Sequence, residues 1–140
     1  MVINTQIDKL GMHKSYNVLT HSKYLNNLYE LKNIFLYYKI KIPKKFEQII
    51  IRMTSILNEY FHLDGSIPLF NGANNNYTKI IYSSLNKDDY LVSRTFTSID
   101  NGIAFCTDKN KKIFFDVVQP NKKYISKNLS AGTLSFEYSS

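Results

Sequence analysis

Phe61-His62-Leu63-Asp64-Gly65-Ser66-Ile67-Pro68-Leu69-Phe70-Asn71-Gly72 divides this chain into two halves of different periodicity. Before it, apolar residues recur at helical steps. Phe46, Ile49, Ile50, Met53, Leu57 and Tyr60 lie on one face of a helix over 44–61. Asp64-Gly65 stops that helix, because glycine is the usual residue past a helix end. Further upstream, Tyr24, Leu28, Leu31, Phe35 and Tyr38 mark a helix face over 19–38, with Tyr24 and Tyr38 read as core. Lys39-Ile40-Lys41-Ile42-Pro43 separates the two, and proline suits the first turn of the helix that follows. The pattern predicts an antiparallel helical hairpin.

Downstream the period falls to two. Residues 102–107 and 112–118 are β-rich, and Asp108-Lys109-Asn110-Lys111 between them has turn chemistry, which predicts a hairpin. Phe114, Asp116 and Val118 share one face, Phe115 and Val117 the other. A last strand is expected over 133–138, where Leu134, Phe136 and Tyr138 alternate as half-buried residues do. A polar run, Asn74-Asn75-Asn76, and a short helix over 77–85 fill the interval. The expected fold class is α+β: a helical part at 1–72, a linker at 73–99 and antiparallel strands at 100–140. Three strands form a thin sheet with open edges, and each helix has a wide apolar face with only the other to cover it. Self-association through exposed apolar faces, or a loose fold, is the expected consequence.

Composition narrows the function classes. The 140 residues are 44% hydrophobic, an ordinary globular fraction that argues against wholesale disorder. No apolar run is long enough for a membrane span. The first residues lack a basic start followed by an apolar stretch, so no secretory signal is read and a cytoplasmic location is the default expectation. Cys106 is the single cysteine, which excludes an internal disulfide and a cysteine-built zinc site. Flanked by Ala104, Phe105 and Thr107, it reads as a plain strand residue without an activating neighbour. The net charge of +7 invites nucleic acid, yet all the basic residues except Arg52 and Arg94 are lysines. Phosphate-gripping and base-reading surfaces favour arginine forks, so nucleic acid is not the expected partner.

Three segments resemble one family. His62-Leu63-Asp64-Gly65 through Phe70-Asn71-Gly72 matches H-x-D-G-x-x-x-x-F-N-G, and Ala131-Gly132-Thr133-Leu134-Ser135-Phe136-Glu137-Tyr138-Ser139 matches A-G-x-L-S-F-E-x-S. Both resemble signatures in a bacterial branch of the heparinase II/III-like polysaccharide lyases. Gly11, His13, Ser15 and Asn17 match a third family stretch, D-G-G-H-x-S-R-N-P, whereas Leu10, Met12, Tyr16 and Val18 depart from it. Arg52-Met53 fits an R-M pair in the next helix. The resemblance implies the end of an α/α toroid followed by the start of a β-sandwich. The chain is short for the family, so a truncated lyase, inactive alone, is the expectation.

Family chemistry is β-elimination on uronic-acid-containing polysaccharides. A donor neutralises the substrate carboxylate, a base removes the adjacent proton, and an acid protonates the leaving oxygen. By resemblance, His13 and Asn17 are the candidate catalytic residues and an acidic polysaccharide is the partner. The family's sandwich histidine has no counterpart in Lys127-Asn128-Leu129-Ser130, where Ser130 takes its place. No cofactor and no metal are implied. Plainer roles stand beside these. Asn17 suits a helix cap. His62 with Asp64 reads as an acid–base pair or, in preference, Asp64-Gly65 reads as a turn. His21 lies two helical turns after His13, so the two share a side, with no carboxylate near in sequence to complete a metal site. Lys109, Lys111 and Lys112 read as a solvated turn or as an attraction for an acidic polymer. The rival reading is a non-enzymatic module that binds an acidic glycan or a protein partner.

Overall fold

The computed structural model describes residues 3–74, 103–108, 111–117 and 135–139. A short helix, α1 (Ile3–Gln6), precedes two long ones, α2 (Val18–Tyr37) and α3 (Lys44–Glu59). A single turn of 3-10 helix follows at Phe70–Gly72, and then three strands: β1 (Ile103–Asp108), β2 (Lys111–Asp116) and β3 (Ser135–Ser139). The fold is α+β, as the sequence predicts. The expected short helix over 77–85, the turn residues 109–110 and Ser130 lie outside the described residues.

Asn17 starts α2 from an extended backbone, and its Oδ1 accepts the Thr20 N–H at 2.8 Å. The helix ends in a Schellman closure: the Ile40 N–H donates to the Phe35 carbonyl and the Lys39 N–H to that of Leu36. Lys39 therefore takes a left-handed conformation, φ 53°, where glycine is the cheaper residue by about 1 kcal/mol. The ring of Phe35 meets that of Phe46 edge-on at 5.6 Å, while His21 reaches the Met53 carbonyl, so α2 and α3 run antiparallel.

The buried face of α2 is Val18, Leu19, His21, Ser22, Leu25, Leu28 and Tyr29. This corrects the predicted face. Tyr24 and Phe35 are partly buried against the core, but Leu31 and Tyr38 are exposed. A helix has room for two adjacent stripes at the same spacing, and periodicity alone does not say which one meets α3. The face of α3 stands as predicted, with Phe46, Ile49, Ile50, Met53 and Leu57 buried and Tyr60 just beyond.

The sheet order is β1-β2-β3, antiparallel throughout. Phe105 faces Phe114 across one pair and Glu137 faces Phe114 across the next. Residues directly opposite in antiparallel strands share a face. Ile103, Phe105, Lys112 and Phe114 make the inner face and join the helical core around Met12, Leu25, Met53 and Leu57. The register reverses the expectation for the last strand. Phe136 and Tyr138 are 69% and 51% exposed, and it is Glu137 between them that points inward. Lys112 is a second correction: read as a solvated turn residue, it is only 8% exposed.

Candidate functional site

Two segments singled out in the sequence meet across the helix–sheet boundary. His62 sits edge-on to Phe114, ring centroids 4.8 Å apart, and Glu137 is the register partner of Phe114. The carboxylate is thereby brought to the imidazole, with His62 Nε2 and Glu137 Oε2 3.1 Å apart. Its other oxygen accepts the Leu69 N–H at 2.7 Å. One side chain of β3 thus holds both ends of the loop that follows α3. Inside that loop, the Ser66 N–H donates to Asp64 Oδ1, and Gly65 takes a positive φ of 80°. Asp64 is a turn residue, and the partner of His62 is Glu137. The hydrogen bonds from Ser66 hold the Asp64 carboxyl below its usual range.

The third segment is tied to the same loop. Asn17 Nδ2 donates to the Asn71 carbonyl at 2.7 Å, and Asn71 Nδ2 donates back to the Tyr16 carbonyl at 3.3 Å. Asn71 adopts the left-handed conformation, φ 56°, which asparagine tolerates better than most residues. Asn17 therefore caps α2 with its oxygen and clamps the Phe70–Gly72 turn with its nitrogen. Both ends of its amide are engaged.

His13 is also fully engaged. Its Nδ1 accepts the Ser15 N–H at 3.2 Å and lies 2.8 Å from Ser15 Oγ, while Nε2 lies 3.3 Å from Gln6 Oε1. An acceptor at Nδ1 leaves the proton on Nε2, which donates to the glutamine. Burial lowers the pKa of this ring. His21 has the same tautomer. Its Nδ1 accepts the His13 N–H at 3.2 Å, and Nε2–H donates to the Met53 carbonyl at 2.9 Å. Burial pushes its pKa down to about 4, outweighing the opposing pull of the Met53 carbonyl. The two histidines do not share a helix face, because His13 lies ahead of α2 in a β-bridge with Ile7; they meet only through the His13 N–H and the His21 ring. Among the described residues no group of His, Cys, Asp or Glu could hold a metal ion.

The R-M pair has a structural use as well. The Arg52 guanidinium donates to the Lys9 carbonyl at 2.9 Å, and Met53 is fully buried. Gly11 has φ +109°, and a Cβ there would stand 2.8 Å from Arg52 Cβ, so the 8–12 loop reaches α3 only through a glycine. Asp8 organises that loop by accepting the N–H groups of Leu10, Gly11 and Met12 on one oxygen.

Sequence reasoning missed Lys112 and Tyr60 as a pair of buried polar groups. Lys112 Nζ donates to the Glu59 carbonyl at 2.7 Å and lies 5.0 Å from the centre of the Phe114 ring. Burial pushes its pKa down to about 8 against the pull of Glu59. The Tyr60 hydroxyl is buried and makes no hydrogen bond among the described residues. Burial raises its pKa, and the carboxylates of Asp8, Glu59 and Asp116 add to that. The signal for Lys112 was its position two before Phe114, which alternation puts on the inner face.

Removing the Glu137 carboxylate leaves the His62 ring and the Leu69 N–H without their partner. Glu137→Ala is expected to cost about 2 kcal/mol. Because His62 and Glu137 act as one unit, the double variant with His62→Ala is expected to cost less than the sum of the single variants by about 1 kcal/mol. Urea denaturation of the four proteins measures this, and strict additivity would contradict the bridge.

These contacts define an α+β protein whose motif segments converge at the helix–sheet boundary. No family model matches the chain, and no curated protein or solved structure matches it.

Proposed function

We propose that this chain is the helix-to-sheet junction of a heparinase II/III-like polysaccharide lyase, and that its three motif segments serve there as a clip. The observation that carries this reading is the Glu137 carboxylate, which bridges His62 and the Leu69 N–H between two segments that resemble family signatures. The state of His13 and Asn17 supports a structural use of both. A general base needs a ring nitrogen within reach of the substrate proton. Both nitrogens of His13 and both amide atoms of Asn17 are held by this chain's own groups. Binding of a uronate polymer without turnover is the function this arrangement favours.

The test combines two readouts on the 140-residue protein with alginate, heparin and neutral dextran. Calorimetry follows binding, and ultraviolet absorbance follows the unsaturated elimination product. Saturable binding to a uronate polymer, none to dextran and no product are expected. Failure to bind either uronate polymer would sink the lyase reading. Product that disappears in His13→Ala or Asn17→Ala would instead restore those residues as catalytic groups.

A further inference from the structure

The connection between α2 and α3 combines exposed lysines with exposed apolar side chains. Residues 31–46 contain five lysines and no carboxylate, and so account for five of the seven net positive charges. Lys39, Lys41, Lys44 and Lys45 are all exposed. None of these four ammonium groups makes a hydrogen bond or ion pair with the described residues. Exposed apolar side chains stand among them: Tyr37 at 79%, Tyr38 at 67%, Leu36 at 57% and Ile40 at 52%. The two tyrosine rings meet edge-on at 5.0 Å, so they form one aromatic prominence. A lysine, Lys39, occupies the tip although its left-handed backbone favours glycine.

We propose that this tip docks peripherally on an anionic lipid surface. The inference is independent of the lyase reading. Lysines attract an acidic headgroup layer, and their long stems lie along apolar surface while the ammonium stays in water. Tyrosine rings suit the headgroup level, and aliphatic side chains gain by entering the boundary with the acyl chains. A second copy of this chain fits poorly, because each tip would bring its lysines against those of the other. An acidic glycan fits the lysines and tyrosines but gives Leu36 and Ile40 no apolar layer to enter. No helix among the described residues is long and apolar enough to cross a membrane, so the contact is to the surface.

Co-sedimentation of the whole chain with vesicles tests the proposal. One set is phosphatidylcholine alone and the other contains about one-third phosphatidylserine. Two variants accompany the protein: Lys39→Gln, Lys41→Gln, Lys44→Gln, Lys45→Gln in one, and Leu36→Ser, Tyr37→Ser, Tyr38→Ser, Ile40→Ser in the other. All eight positions are exposed, and circular dichroism checks that both variants keep the helices. Binding to the anionic vesicles only, weakened roughly tenfold or more in each variant, is the expected result. No binding to anionic vesicles overturns the proposal. Undiminished binding by the apolar variant also overturns it, since charge alone would then suffice. So does a lipid-free dimer that the apolar variant disperses, which would assign the tip to a second copy. Heparin binding lost in the lysine variant, with no binding to vesicles, would assign it to a glycan.

Discussion

Phe114→Ala is expected to destabilise the protein by about 3–5 kcal/mol, the range for deleting a fully buried aromatic side chain. Phe114 has no exposure at all. Its ring touches Phe105 from β1, Tyr60 from the end of α3, and His62 from the loop beyond, with Lys112 above its face. It is the residue on which helices, loop and sheet converge, so no single neighbour can move in to fill the space. Against a total stability of about 5–15 kcal/mol for a small domain, that loss is severe. The urea midpoint of the variant measures it. Phe115→Ala serves as the control, because Phe115 is on the opposite face of the strand and only partly buried. A similar cost for both would mean that the inner face of the sheet is not the one described.

Acidification is the second large effect. An unfolded histidine titrates near 6.5, whereas His21 in the fold has its pKa pushed down to about 4. Between those values the unfolded chain binds a proton that the folded chain refuses. The contribution of this ring is therefore complete above pH 6.5 and is lost as the pH falls toward about 4. At about 1.36 kcal/mol per unit, the loss attributable to this ring is about 3 kcal/mol. The geometry gives the same sign. A proton on Nδ1 would confront the His13 N–H that this nitrogen now accepts. His13, whose pKa burial also lowers, adds to the loss in the same direction. Urea denaturation near neutrality and near pH 4 measures the effect, with His21→Gln as the reference for all other titrating groups. Equal acid sensitivity in the two proteins would show that His21 is not the responsible group.

The sequence by itself determined the two long helices, the three strands and the class of fold. Two helices, a hairpin and a last strand follow from apolar spacing, because each period reflects the regular backbone geometry of its element. The Asn17 cap and the Asp64-Gly65 turn were equally legible, since each is satisfied by backbone groups within four residues. Faces and partners were not. Leu31 and Tyr38 share the spacing of the core residues, yet the direction from which α3 approaches leaves them in water. Phe136 and Tyr138 alternate as buried residues do, and only the pairing of β3 with β2 turns Glu137 inward in their place. The meeting of His62 with Glu137 spans 75 residues, and that of Asn17 with Asn71 spans 54. Local rules constrain neighbours along the chain, whereas the register of a sheet and the docking of a loop depend on contacts between residues far apart in it. The three motif segments could be read from the sequence one at a time; only the tertiary structure decided that they hold one another.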